Sequence, residues 1–434
     1  MLFDRRDPSS VLWPKRATFE QLLQILNSNE LAMGWGEDET IGWVYQYFNF
    51  REERAAMRDT RRGGSRAPRT SRELAIRNQF FTPRYVARFL TDNTLGRIWA
   101  EMRPGHTALQ DVCAPTARAT TDTPGPSRAS RDPRDIRVLD PACGSGHFLL
   151  CAFDLLVTIY LEAWQNHDDR ALSSEGTGGT LRQDYSSERL LRSAIPGLIL
   201  RHNLFGVDID RRCAQIAQLA LWMRAQRAFR DFAIARADRP PILRVNIVTA
   251  EPMLVAPDVL PAFINRLGNP ILAEHFQKLL ASLGLAGELG LLLQIETLAG
   301  SVGATGQSGS LFAAQEEEIR EALHLFAQEA LATQRDARRL FVDDALAGVG
   351  LIEVASQAFD VVLMNPPFGL LTDAGQEYIS DRYQGAHGNA FAAFVRRARM
   401  LCPHGFIGAI TSNSFLVRAR GRTTRPINRG CADG

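Results

Sequence analysis

Five short apolar runs constrain this chain more than any other feature. Residues 136–140, 204–209, 242–249, 359–364 and 406–411 are rich in Val, Ile, Leu and Phe, and helical patterns follow most of them. Strands alternating with helices predict an α/β fold, a mainly parallel sheet doubly wound by helices. About a hundred residues between the third and fourth runs are helical in pattern, with Ile319, Leu323, Phe326 and Ala330 on one face. The expected division is an N-terminal helical region with basic linkers (1–132), two halves of a core (133–250 and 353–417), a helical insertion (251–352) and an Arg-rich tail (418–434).

Composition excludes several classes. The chain has 434 residues and a net charge of +2, and 48 of its 50 basic residues are arginine. The two lysines, Lys15 and Lys278, neither follow glycine nor precede Ser or Thr, so no Walker A phosphate loop exists. Trp13 and Phe276 stand two residues before them, where a common metal-dependent nuclease needs an acid. Six scattered cysteines form no CxxC, and eight histidines form no HExxH or HxxxH pair. No metal site is expected, and the thiols should be reduced. The best apolar stretch, 148–160, is too short to span a bilayer and contains Asp154. With no signal-like N-terminus, a soluble cytoplasmic protein is expected. Residues 51–72 hold eight arginines, read as either a solvated loop or a phosphate-contacting segment. Residues 114–135 read as a linker.

Four strings carry chemistry. Asp140-Pro141-Ala142-Cys143-Gly144-Ser145-Gly146-His147-Phe148 ends the first strand in an acid, then turns through small residues into a helix. Gly144 and Gly146 let backbone approach a ligand, and the helix start favours a carboxylate or phosphate. Val207-Asp208-Ile209-Asp210 again puts an acid at a strand end. Asp208 can accept both hydroxyls of a ribose, Ile209 can pack on an adenine face, and Asp210 reads as a helix cap. Asn365-Pro366-Pro367-Phe368 is a rigid, acceptor-rich turn. The Asn365 side-chain oxygen and the Pro366 carbonyl could hold both hydrogens of an amino group, and Phe368 could stack a planar group. Phe81-Thr82-Pro83 reads locally as a helix cap, with Thr82 at the cap and Pro83 at the first helical position.

Together these strings resemble adenine-specific DNA methyltransferases of the gamma motif order. Glu39-Thr40-Ile41-Gly42-Trp43-Val44-Tyr45-Gln46-Tyr47-Phe48-Asn49, the segment 80–99, Arg244–Met253 and the insertion are similar to the PglX methyltransferases of BREX phage-exclusion systems. Type IIG restriction–modification enzymes share the core, and the resemblance spans roughly residues 35–417. It implies a Rossmann-like methyltransferase sheet and S-adenosylmethionine as cofactor. Thr82, Asp140, Pro141, Ala142, Gly144 and Gly146 would hold its methionine part. Asp208 would hold the ribose, with Ile209, Pro367 and Phe394 against the adenine. Asn365, Pro366 and Phe368 would receive a target adenine flipped from double-stranded DNA. The acid that family members often carry after the third strand has only Glu251 as a candidate. The family also continues into a target-recognition domain, which the Arg-rich tail does not resemble; truncation or a frameshift is the expectation, with specificity absent or supplied by other BREX components. Two alternatives stay open: an inactive remnant or partner-binding module keeping the cofactor fold, and an RNA or protein amino-nitrogen methyltransferase.

Overall fold

All five apolar runs become strands in the computed structural model, which describes residues 14–48, 51–52, 55, 67–103, 107–113, 128–166, 171–173, 177–252, 259–295, 318–319, 321–323, 325–326, 336–386 and 389–412. Most of the basic stretch 51–72, the linker portion 114–127, Ala330 and the tail 418–434 lie outside the described residues. The strands are β1 (Val138–Asp140), β2 (Leu204–Asp208), β3 (Asn246–Thr249), β4 (Val361–Met364) and β5 (Phe406–Ala409). They form one parallel sheet in the order β3-β2-β1-β4-β5. The third strand is shorter than its apolar run. Asn246 pairs with Phe205, next to the first residue of β2, so residues 242–244 have no strand to pair with.

Strand side chains alternate between faces, so burying both faces takes helices on both. Val138, Leu204, Val361 and Leu363 face a core built with the helices His147–Gln165 and Arg211–Asp231. Leu139, Phe205, Val207, Val362 and Met364 face a second core. Its other side is residues 283–295, the end of the helix Asp336–Ala355, and the helix Ala390–Leu401. From β1 the order runs outward to β2 and β3 on one side and to β4 and β5 on the other. In open parallel sheets that reversal leaves a crevice beyond the carboxyl ends of the central strands.

The helix His147–Gln165 outruns its apolar centre and is long and apolar enough to cross a membrane by length and composition. Its most apolar window is 67% buried inside the fold, which accounts for that character by packing. Asp154 leaves the core by pairing with Arg224 of the helix Arg211–Asp231 at 2.6 Å. At the foot of the sheet the fully buried Asn203 donates to Pro133 O and Ile136 O, each at 2.7 Å, and accepts from the Tyr160 hydroxyl at 2.9 Å.

The 251–352 stretch feeds two cores. Phe263, Phe276, Ile319, Leu323, Phe326 and Phe341 build a separate aromatic cluster, so the helical spacing of 319, 323 and 326 does mark a buried face. Residues 283–295 instead lie on the sheet, as the short turns Leu283–Leu285, Ala286–Leu289 and Gly290–Leu292.

Candidate active site

The β1 and β2 ends are tied together by their own backbone. Gly144 (φ +52°) and Gly146 (φ +89°) take the left-handed conformation that side chains disfavour. This turn aims the Gly144 N–H at Asp208 Oδ2, 2.7 Å away. Asp208 Oδ1 accepts from Asp210 N at 2.8 Å, and Asp140 Oδ1 from Ala142 N at 3.2 Å. Each oxygen keeps a second lone pair for a ligand. Asp140 is buried and Asp208 half-buried. Burial lifts Asp140 well above the usual carboxylate range, and burial aided by the Asp210 charge pushes Asp208 up to about 7. Asp210 caps the helix Arg211–Asp231 through Arg212 N, as its position implies, and also accepts from the Tyr45 hydroxyl at 2.8 Å.

Gly146 has a different task from Gly144. It precedes the helix His147–Gln165, and a Cβ there would stand 3.2 Å from Ala217 Cβ. Its missing side chain serves helix packing, and it does not face the crevice. His147, next in sequence, bonds through Nδ1 to Thr82 O at 3.0 Å and through Nε2 to Ser145 Oγ at 3.3 Å. Burial lowers its pKa, and Trp43 packs on its ring at 5.1 Å.

Thr82 is not a helix cap. Pro83, with extended backbone (φ −57°, ψ 140°), is the cap residue of the helix Arg84–Thr91, which has no side-chain cap. The Thr82 hydroxyl is turned to another partner: it accepts from Asn365 Nδ2 at 3.2 Å, and Phe80 O lies 3.4 Å from the same nitrogen. A carbonyl oxygen only accepts, so the amino end of the Asn365 amide must face this pair. The Asn365 Oδ1 is thereby left pointing elsewhere, with no hydrogen bond among the described residues.

Two asparagines fasten the turn after β4. Asn78 Oδ1 accepts from Phe368 N at 2.9 Å, and Asn389 Oδ1 from Gly369 N at 3.2 Å. Both stand beside strings that the sequence marks, but neither role shows in the local pattern. The Phe368 ring is 40% exposed, 6.0 Å from Phe391.

These elements enclose a cleft of about 920 Å³, open mouth included. Thr82, Asp140, Pro141, Ala142, Gly144, Asp208, Ile209, Asn365, Pro367 and Phe394 all line it; Gly146, Pro366 and Phe368 do not. Glu251 does not line it either, and pairs with Arg211 at 3.2 Å. Among the wall residues that sequence reasoning did not single out are Glu288, Leu289 and Gly290. They reach the cleft from the 283–295 stretch, where no local signal marks them. Among the described residues no group of His, Cys, Asp and Glu could hold a metal ion.

Comparison with known proteins bears on the same residues. Residues 129–251 match the DNA-methyltransferase domain of MmeI, covering Asp140, Gly144 and Asp208. Residues 202–432, more than half of the chain, match the Eco57I restriction-modification methylase family. The chain belongs to that family. As an Eco57I-type methylase chain it is also similar to the adenine-specific methyltransferase BrxX of Escherichia coli O9:H4 (strain HS), 26% identical over 94% of this chain and 32% of the relative. The adenine-specific methyltransferase PglX of Lacticaseibacillus casei (strain Zhang) is 24% identical over 88% of the chain and 28% of the relative. A putative type II restriction enzyme and methyltransferase of Methanocaldococcus jannaschii is 40% identical over 22% of the chain and 7% of the relative. The chain thus spans about a third of the length of the BrxX and PglX relatives.

Proposed function

We propose that this Eco57I-type chain is the catalytic core of an adenine-specific DNA methyltransferase, using S-adenosylmethionine to methylate the exocyclic amino group of adenine. The observation that carries the reading is one cleft bordered by Asp140, Asp208 and Asn365. The cofactor supplies an electrophilic methyl group on a sulfonium. The residues fit such a molecule: carboxylates at two adjacent strand ends, and the apolar Ile209, Pro367 and Phe394 beside them.

The roles follow from chemistry. Asp208, held by two backbone N–H groups, accepts the ribose hydroxyls. Asp140 and the turn through Gly144, with Thr82 opposite, hold the methionine part. Ile209, Pro367 and Phe394 cover the cofactor's base in a Rossmann-like arrangement. Asn365 presents Oδ1 to one hydrogen of the target amine, and the Pro366 carbonyl takes the other. Acceptors fixed in advance stabilise the positive charge that develops on nitrogen during transfer. Phe368 stacks on the target base. Such an amine is inaccessible inside a duplex, so the adenine must be extruded from the double-stranded DNA. Apart from Thr82, the 133–250 and 353–417 segments supply these groups. Base-edge reading in the grooves falls to a recognition domain, or to defence-system partners of the BREX kind that the PglX resemblance points to.

A methyl-transfer assay with labelled S-adenosylmethionine, offering DNA, ribosomal RNA and release factor in parallel, tests this. Label in DNA alone, recovered as N6-methyladenine, is expected. Label in RNA or release factor without label in DNA overturns the reading.

A further inference from the structure

We propose that Glu288 reads the amino group of the cofactor's base, an inference that rests on the cofactor reading above. Among the described residues the β3 end supplies no acid for that contact. Glu251 is engaged by Arg211, and the Asn246 amide donates inward to Leu200 O and Arg201 O. Among the described residues four acids line the cleft: Asp140, Asp208, Asp210 and Glu288. The first two hold the turn and the ribose. Asp210 is occupied by Arg212 N, the Tyr45 hydroxyl and the Cys213 thiol.

Glu288 is placed and oriented for the remaining task. The turn that carries it lies against Ile209: a Cβ on Gly290 would stand 3.3 Å from Ile209 Cγ2. Ile209 directly follows Asp208, so a nucleoside whose ribose sits on Asp208 lays its base on Ile209, beside this turn. The carboxylate is clasped by Thr372. The Thr372 hydroxyl accepts from Gly375 N at 3.2 Å, which leaves its single proton for Glu288 Oε2. Glu288 Oε1 meets no donor among the described residues. A carboxylate accepts from a 6-amino group and repels a 6-oxo group, so Glu288 selects an adenosyl over an inosyl ligand.

Calorimetric titration of the full chain with S-adenosylhomocysteine and S-inosylhomocysteine tests this. The parent should prefer the adenosyl ligand by roughly 10- to 100-fold, the range for a hydrogen bond to a charged group. Glu288→Gln, whose amide can also donate, should lose most of that preference. Thr372→Val, which keeps the carboxylate but removes its clasp, should lose part of it and gives a second readout if the first variant does not fold. An undiminished preference in these variants overturns the role of Glu288 and leaves the cofactor reading standing. A parent that binds neither ligand overturns both.

Discussion

Asn365 Nδ2 lies 3.2 Å from Thr82 Oγ1, so two residues 283 positions apart fix the direction of one amide. The hydroxyl and the Phe80 carbonyl together turn the Asn365 oxygen away from themselves, the orientation in which it can hold an amine. Thr82→Val removes one of these restraints and should lower methyl transfer roughly tenfold, about the effect of one lost hydrogen bond. Thr82→Ser keeps the hydroxyl and should stay near the parent rate. Steady-state transfer rates of the two variants, compared side by side, check this.

Under the proposed cofactor role, Asp208 gives the cleft a pH dependence. Its carboxyl is pushed up from 3.8 to about 7, chiefly by burial. Between about pH 4 and 7 the folded chain therefore holds a proton that the unfolded chain has lost. The stability this provides is complete below pH 4 and disappears as pH rises through 7. Binding runs the other way, because ribose hydroxyls donate best to the ionised carboxylate. Affinity for S-adenosylhomocysteine should rise about tenfold from pH 6 to pH 8, with a proton released on binding. Calorimetry in buffers of different ionisation enthalpy measures both.

Asn203 predicts stability rather than function. Its amide satisfies two carbonyls and a tyrosine hydroxyl where no water reaches. Asn203→Ala strands those groups and should cost about 3 kcal/mol of folding free energy. Denaturant unfolding of parent and variant gives the difference, and a change below about 0.5 kcal/mol, the level of an ordinary surface substitution, would contradict this account.

The fold was legible where local pattern decides it. Each apolar run contains its strand, and Asp140 and Asp208 each end one. Sequence failed where a side chain's partner comes from far along the chain. Thr82 before proline reads as a cap, since nothing nearby shows that Asn365 will arrive to take the hydroxyl. Gly146 looks equivalent to Gly144 until Ala217 packs against it. Glu288 sits in a helical stretch with no motif, and only the packing of residues 283–295 on the sheet brings it to the cleft. The expected extent of β3 was too long because the register with β2 decides where it starts.

In the proposed reaction a cofactor cleft and a separate amine-holding amide meet at Asn365. Asn365→Ala tests it most directly, with S-adenosylmethionine affinity measured by calorimetry and methyl transfer to adenine-rich DNA measured on the same preparations. Cofactor affinity close to that of the parent, with transfer lowered by roughly 10²- to 10³-fold, is the predicted result. Equal turnover in variant and parent would contradict the account.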